Sequence, residues 1–320
     1  MANVAADFSV VICGFEELRG LARRLGPRRV AVVMAEDEVA LQAAAGALEL
    51  GIATPVLIGD RERIQKCAHE GGLEKLIAGA EFRDAASSTD AAALAAKMAR
   101  AGEADILLKG HLRTDELLHC VLDRQYELRT DRLLSDVLLY EDTLSGQRRL
   151  VGITDGGLNV APTLEQKRQI LMNALEVLRA IGMERPRVAI MSATEAVTPA
   201  VPSTVDAQAL TQAAAAGDFG ACQVFGPLAL DNALTEWAAK AKGITNPVAG
   251  HADCMLVPNI ESGNLLGKAV KYLGGSQCAH VVAGARVPVL IPSRVESADD
   301  KVNAMALGVI YSAYATSVRK

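Results

Sequence analysis

"SSTDAAALAAKMARAGEADILLKG" (residues 87–110) sets the architecture. Residues 87–102 read as a helix with a Ser/Thr start and a Gly stop, and "ADILLKG" (104–110) reads as a strand running out into a charged loop. Upstream the same alternation holds: "RRVAVVMA" (28–35) is a strand, "DEVALQAAAGALEL" (37–50) a helix and "TPVLIG" (54–59) a short strand. This is the rhythm of a mostly parallel sheet covered by helices, whose ligands gather beyond the carboxyl ends of the strands.

At 320 residues the chain is long for one compact core and suits two domains or one large α/β domain. Half of its residues are hydrophobic and only 3% are aromatic, which fits close-packed helix-on-sheet layers better than a base-stacking surface. A net charge of −5 argues against general nucleic-acid binding but leaves room for a small anion held by a few local Arg and Lys residues. Six cysteines without a CxxC pair read as reduced thiols. No signal peptide or membrane span is visible, so a cytoplasmic protein without a membrane partner is expected.

Two turn-rich breaks interrupt the pattern, "ITDGGLNVAPTLEQ" (153–166) and "YLGGSQCAH" (272–280). Thr163 and Gln166 make a capping box ahead of a helix whose apolar positions Ile170, Ala174, Leu178 and Ile181 recur at helical spacing. The breaks are read as domain crossings: residues 1–153 and 279–320 form one discontinuous α/β domain, and 154–278 form the second.

Several familiar signatures are missing. "ESGNLLGKAV" (261–270) has three residues between Gly263 and Gly267 where a P-loop has four, and Ala269 follows its Lys. No GxGxxG follows a strand, and the His residues form no HxH or HxxxH pair, so no metal site is expected. Polar residues do collect where strands end. Lys109, Gly110 and Thr114 follow one strand, with Thr114 able to cap the next helix. Asp155, two glycines and Asn159 follow another, and Asp231, Gly263 and Asn264 lie in similar loops. Each of these groups also reads as an ordinary turn.

"VPVLIPSRVESADD" (287–300) is a buried strand that delivers Ser293, Arg294 and Asp300. Ser297 and Asp300 equally fit a helix N-cap with a carboxylate in the first turn, so residues alone leave capping and chemistry both open.

Together these segments resemble the phosphate acetyl/butyryltransferase family. The resemblance rests on "ADILLKGHLRTDELLHCVLD", "ITDGGLNVAPTLEQKRQILMNALEVLRAIGMERPRVAIMSATE", "VPSTVDAQAL", "GPLALDNAL", "VAGHADCMLVPNIESGNLLGKAVKYL" and "GARVPVLIPSRVESADD". Over roughly the first hundred residues only the α/β pattern agrees. The resemblance implies two α/β domains around a deep cleft, a fold like that of isocitrate and isopropylmalate dehydrogenases. It also implies reversible transfer of a short acyl group between coenzyme A and phosphate, with no metal or redox cofactor.

On the same resemblance, Ser293, Arg294 and Asp300 form the catalytic set. A carboxylate can take the proton of a CoA thiol, a hydroxyl can stabilise the developing charge, and a guanidinium can clamp phosphate through two hydrogen bonds. Lys109, Gly110, Thr114, Arg132, Asp155, Asn159, Asp231, Gly263 and Asn264 are the implied substrate contacts. The expected partners are acyl-CoA and phosphate, together with further copies of the chain in a homodimer or larger homo-oligomer. Two positions depart from the family's pattern: Asp136 in "LLSDV" replaces a usual His, and His119 stands where many members carry Arg or Lys. The "KG…T" and "LLSDV" segments lean toward the butyryl-like branch. A metal- and NAD-dependent dehydrogenase of the same fold and a non-catalytic CoA or acyl-phosphate binder are the competing readings.

Overall fold

In the computed structural model of the chain, residues 8–144, 146, 148–293 and 296–318 are described. They fall into two compact units, one made of residues 16–132 and 279–318, the other of residues 8–15 and 133–278.

Along the chain come α1 (Phe15–Leu25), β1 (Arg28–Val33), α2 (Glu38–Glu49), β2 (Ala53–Gly59), α3 (Arg61–Glu70), α4 (Glu74–Gly79), β3 (Glu81–Asp84), α5 (Ser88–Ala101), β4 (Ile106–Lys109) and α6 (Thr114–Leu122). The boundaries follow local chemistry. Asp37 caps α2 by accepting from Ala40 N at 2.9 Å, and Ser87 caps α5 by accepting from Asp90 N at 3.1 Å. Gly102 closes α5 in the left-handed region, φ +74°. The buried face of α5 is mostly alanine (91, 92, 95, 96 and 99), small enough for the helix to lie close against the sheet.

The second unit contributes β5 (Ser135–Asp142), β6 (Arg149–Thr154), α7 (Leu164–Ala180), β7 (Arg187–Met191), α8 (Pro202–Ala215), β8 (Gln223–Leu228), α9 (Leu230–Leu234), α10 (Glu236–Ala241), β9 (Cys254–Leu256) and α11 (Ile260–Lys268). The predicted capping box at α7 forms in both directions, Gln166 N to Thr163 Oγ1 at 3.3 Å and Thr163 N to Gln166 Oε1 at 2.9 Å. Ile170, Ala174, Leu178 and Ile181 are all buried. The chain then returns to the first unit with β10 (Cys278–Ala283), β11 (Val289–Leu290) and α12 (Ala298–Val318).

In the first unit the strand order is β3-β2-β1-β4-β11-β10, with every neighbouring pair parallel except β10–β11. In the second it is β5-β6-β9-β7-β8, with only β5–β6 antiparallel. Each unit carries a mixed sheet with one antiparallel pair, and neither supports the expected fold of two α/β domains around a deep cleft in the manner of isocitrate and isopropylmalate dehydrogenases. The physical reason is that a turn-rich break marks where the chain bends. It carries no information about which strand edges pair by long-range hydrogen bonds.

Candidate functional site

Parallel pairing decides which loops share an edge. Leu290 of β11 stands beside Leu108 of β4, and Val33 of β1 beside Lys109. The loop carrying Ser293 and the loop carrying Lys109, Gly110 and Thr114 therefore leave the same carboxyl edge of the first unit, where α/β sheets hold their ligands.

The β4 loop is pinned to the backbone that follows β1. Gly110 N donates to Val33 O at 2.8 Å and His111 N to Met34 O at 2.6 Å. A Cβ on Gly110 would lie 2.0 Å from Met34 O, so only glycine fits there. Lys109 is half-buried and its Nζ donates to Gly110 O at 3.2 Å. Beyond it lies a cavity of about 570 Å³ lined by Ser88, Lys109 and residues 111–116. Thr114 is the first residue of α6 rather than its cap. Arg113 holds the cap position, with its backbone N donating to Glu116 Oε2 at 2.8 Å. Ser88 Oγ donates to the other oxygen of Glu116 at 2.9 Å. Arg113 makes a two-bond pair with Asp115 that pulls the Asp115 carboxyl below its usual value, but both groups are in water and the pair adds little to stability.

On the β11 loop, Ser293 is exposed and its N donates to Glu296 Oε1 at 2.9 Å, while Glu296 N returns to Ser293 O at 3.2 Å. Arg294 lies outside the described residues. Ser297 and Asp300 cap α12 reciprocally. Asp300 N donates to Ser297 Oγ at 3.2 Å, and Ser297 N and Oγ donate to Asp300 Oδ2 at 3.1 and 2.5 Å. Asp300 is only 1% exposed. Capping thus fixes one of its carboxylate oxygens at the start of a 21-residue helix. Arg132, half-buried, donates its backbone N to Thr130 Oγ1 at 3.1 Å.

In the second unit β6, β9, β7 and β8 run parallel, so their following loops share one edge. Asp155, immediately after β6, is 3% exposed and accepts four hydrogen bonds. Its Oδ1 takes Gly157 N at 2.8 Å and Leu158 N at 3.0 Å, and its Oδ2 takes Asn159 N at 3.2 Å and Asn159 Nδ2. Asn159 Nδ2 also donates to Leu134 O at 2.9 Å. Burial, and then the nearby Asp136 carboxylate, push the Asp155 carboxyl above its ordinary value against the pull of these donors. Asp136 is itself buried, and a Cβ on Gly157 would approach its side chain to 3.0 Å.

The glycines of "TDGGLN" therefore permit packing as well as turning. A Cβ on Gly156 would lie 2.8 Å from Gly263 C, and one on Gly263 would lie 2.7 Å from Gly156 Cα. Asn264 Nδ2 donates to Gly156 O at 3.3 Å. Four of the expected contacts, Asp155, Asn159, Gly263 and Asn264, are thus brought together. Asn259 caps α11 beside them by accepting from Ser262 N at 3.0 Å.

Asp231, exposed on α9, stands 3.4 Å from Lys242 Nζ. Lys242 also pairs with Glu195 at 2.5 Å, and that contact is the main reason the Glu195 carboxyl sits below its usual value. Sequence reading passed over Asn232, which is fully buried and donates Nδ2 to Glu195 while its Oδ1 has no partner. The available signal was the Asp-Asn pair directly after a strand, where a buried amide costs free energy unless bonded.

Taken together, fold and loops define an α/β protein with polar residues gathered at the carboxyl edges of parallel strands. The family model described as "Phosphate acetyl/butaryl transferase" matches residues 74–309, and the chain belongs to that family. It is 39% identical over 299 residues to a phosphate acetyltransferase of Rhizobium meliloti, covering 93% of each chain. It is 36% identical over 299 residues to a phosphate butyryltransferase of Clostridium beijerinckii, covering 93% of this chain and 98% of that one. Among solved structures it resembles a branched-chain phosphotransacylase from Enterococcus faecalis V583, with TM-score 0.77 and 28% identity over 89% of this chain and 99% of the other. These neighbours are phosphotransacylases, which completes the correction of the dehydrogenase-like fold and leaves the dehydrogenase reading without support.

Proposed function

We propose that the chain is a phosphate acyltransferase that moves a short acyl group reversibly between coenzyme A and inorganic phosphate, by direct attack in a ternary complex. The observation that carries this reading is a family match running through 74–309, including the Ser293–Asp300 segment at the carboxyl edge of β11.

Asp300 serves as the base that takes the proton of the CoA thiol, and the Ser293 hydroxyl hydrogen-bonds the developing thiolate or the acyl oxygen. Arg294 holds phosphate, which a planar guanidinium grips through two bonds where lysine offers a point charge. Lys109, Thr114 and Arg132 supply further donors to anionic groups. Gly263 and Asn264 at the start of α11 contact CoA. The reaction needs no metal or redox cofactor.

No helix among the described residues is long and apolar enough to cross a membrane, which supports a cytoplasmic enzyme. Leu265, Tyr272 and Leu273 are 72, 55 and 88% exposed around the end of α11, a surface suited to self-association into a homo-oligomer.

The test is to mix acetyl-, butyryl- and branched acyl-CoA with phosphate in EDTA and follow free thiol. Phosphate-dependent release supports the reading and ranks the acyl groups. No release from any of them overturns it.

A further inference from the structure

Three consecutive residues after Asp300 are each fastened to a helix far away in sequence. Lys301 Nζ donates to Gln42 Oε1 on α2 at 2.8 Å. The Val302 methyl enters the notch left by Gly46 on the same helix, 2.5 Å from where a Cβ would sit. Asn303 Oδ1 accepts from Arg19 Nη1 on α1 at 2.9 Å. All of α2 precedes residue 74, where the family match begins.

Lys301 is the unusual member of this set. It is only 5% exposed, yet the hydrogen bond it makes goes to a neutral amide and not to a carboxylate. Gln42 is in turn oriented by its Nε2, which donates to Glu38 Oε1 at 2.9 Å. A buried ammonium without an acceptor is costly, so Lys301 must stay where Gln42 is. Lys301 is joined to Asp300 by one peptide bond, so the place of one side chain constrains the other.

We propose that Gln42 is a positioning residue for Asp300, acting through Lys301. The inference rests on the reading of Asp300 as the general base. A base works only within hydrogen-bond reach of its proton, and a displacement of about 1 Å can cost about a hundredfold in rate. Gln42 is not one of the residues read as substrate contacts, so its loss affects the placement of the base and not the binding of either substrate.

The test compares Gln42→Leu, Gln42→Glu and Asp300→Asn by steady-state kinetics, with thermal melts to establish folding. Gln42→Leu is expected to lower kcat by about 10–100-fold while KM for acyl-CoA and phosphate stays within about twofold. Gln42→Glu still accepts from Lys301 and is expected to recover most of that loss. A folded Gln42→Leu variant with wild-type kcat, or a Glu variant no better than Leu, overturns the proposal. If Gln42→Leu does not fold, the double variant Gln42→Leu/Lys301→Met removes both polar partners together. It should fold with lowered kcat, and wild-type turnover in it overturns the proposal. Near-wild-type turnover of Asp300→Asn overturns the base reading itself. A large loss there with none in the Gln42 variants overturns only the positioning role.

Discussion

Gly156 and Gly263 meet main chain to main chain, each leaving less than 3 Å for a Cβ on the other. Sequence spacing suggests a turn at one and a failed P-loop at the other; packing makes them one contact between the β6 loop and α11.

Gly263→Ala should therefore destabilise the fold by about 1–3 kcal/mol, the usual cost of overpacking a site where backbone has to give. Urea denaturation measures it. A midpoint equal to the parent's would mean that loop and helix separate freely.

Asp300→Asn separates capping from catalysis. Asparagine can still accept from Ser297, so thermal midpoints should move little, while turnover falls on the order of 10²–10⁴-fold if the carboxylate is the base. The deficit should shrink in alkaline buffer as the thiol approaches its own pKa of about 8.5, the cysteine value standing in for CoA. Full turnover at neutral pH would leave Asp300 as a cap alone.

If Arg294 clamps phosphate as proposed, Arg294→Gln should raise KM for phosphate far more than KM for acyl-CoA, because the paired hydrogen bonds it would lose are specific to the anion. Lysine should restore phosphate affinity only in part. Equal changes in both constants would remove the phosphate role.

Asp155 gives a signed pH effect. Burial and Asp136 hold its folded-state pKa above the ordinary 3.8. The folded chain thus keeps the proton to higher pH than the unfolded chain. Its contribution to stability is full below the ordinary value and is lost as pH rises through the raised one. Asp136→Asn removes the like charge, so the fall in urea midpoint from acid to neutral pH should become shallower than in the parent. An unchanged slope would show that Asp136 does not act on Asp155.

Local structure was the legible part of this sequence. Ser87 and Gly102 bound α5 as their chemistry implies, and the Thr163–Gln166 box opens α7. The Ser297–Asp300 cap was also readable from spacing, since it joins residues only three apart. What escaped were relations between distant segments. Pairing of Leu290 with Leu108, the wedge of Gly110 against Met34 and the bond from Lys301 to Gln42 leave no periodic trace. The strand expected near 287–291 shrinks to Val289–Leu290, because Pro288 and Pro292 on either side have no N–H for a ladder. Thr114 was misplaced by one position as a cap because Arg113 is capped through its backbone, a role open to any residue with an N–H.

The loop after β6 is an anion receptor supplied with its own anion. Three successive amides and one side-chain amide converge on a carboxylate, much as they would on a bound phosphate. That carboxylate is tethered two to four residues away, at an effective concentration no free phosphate reaches in solution. Any phosphate this protein holds must therefore draw its donors from side chains or other backbone, because the amides of Gly157, Leu158 and Asn159 are already taken by Asp155.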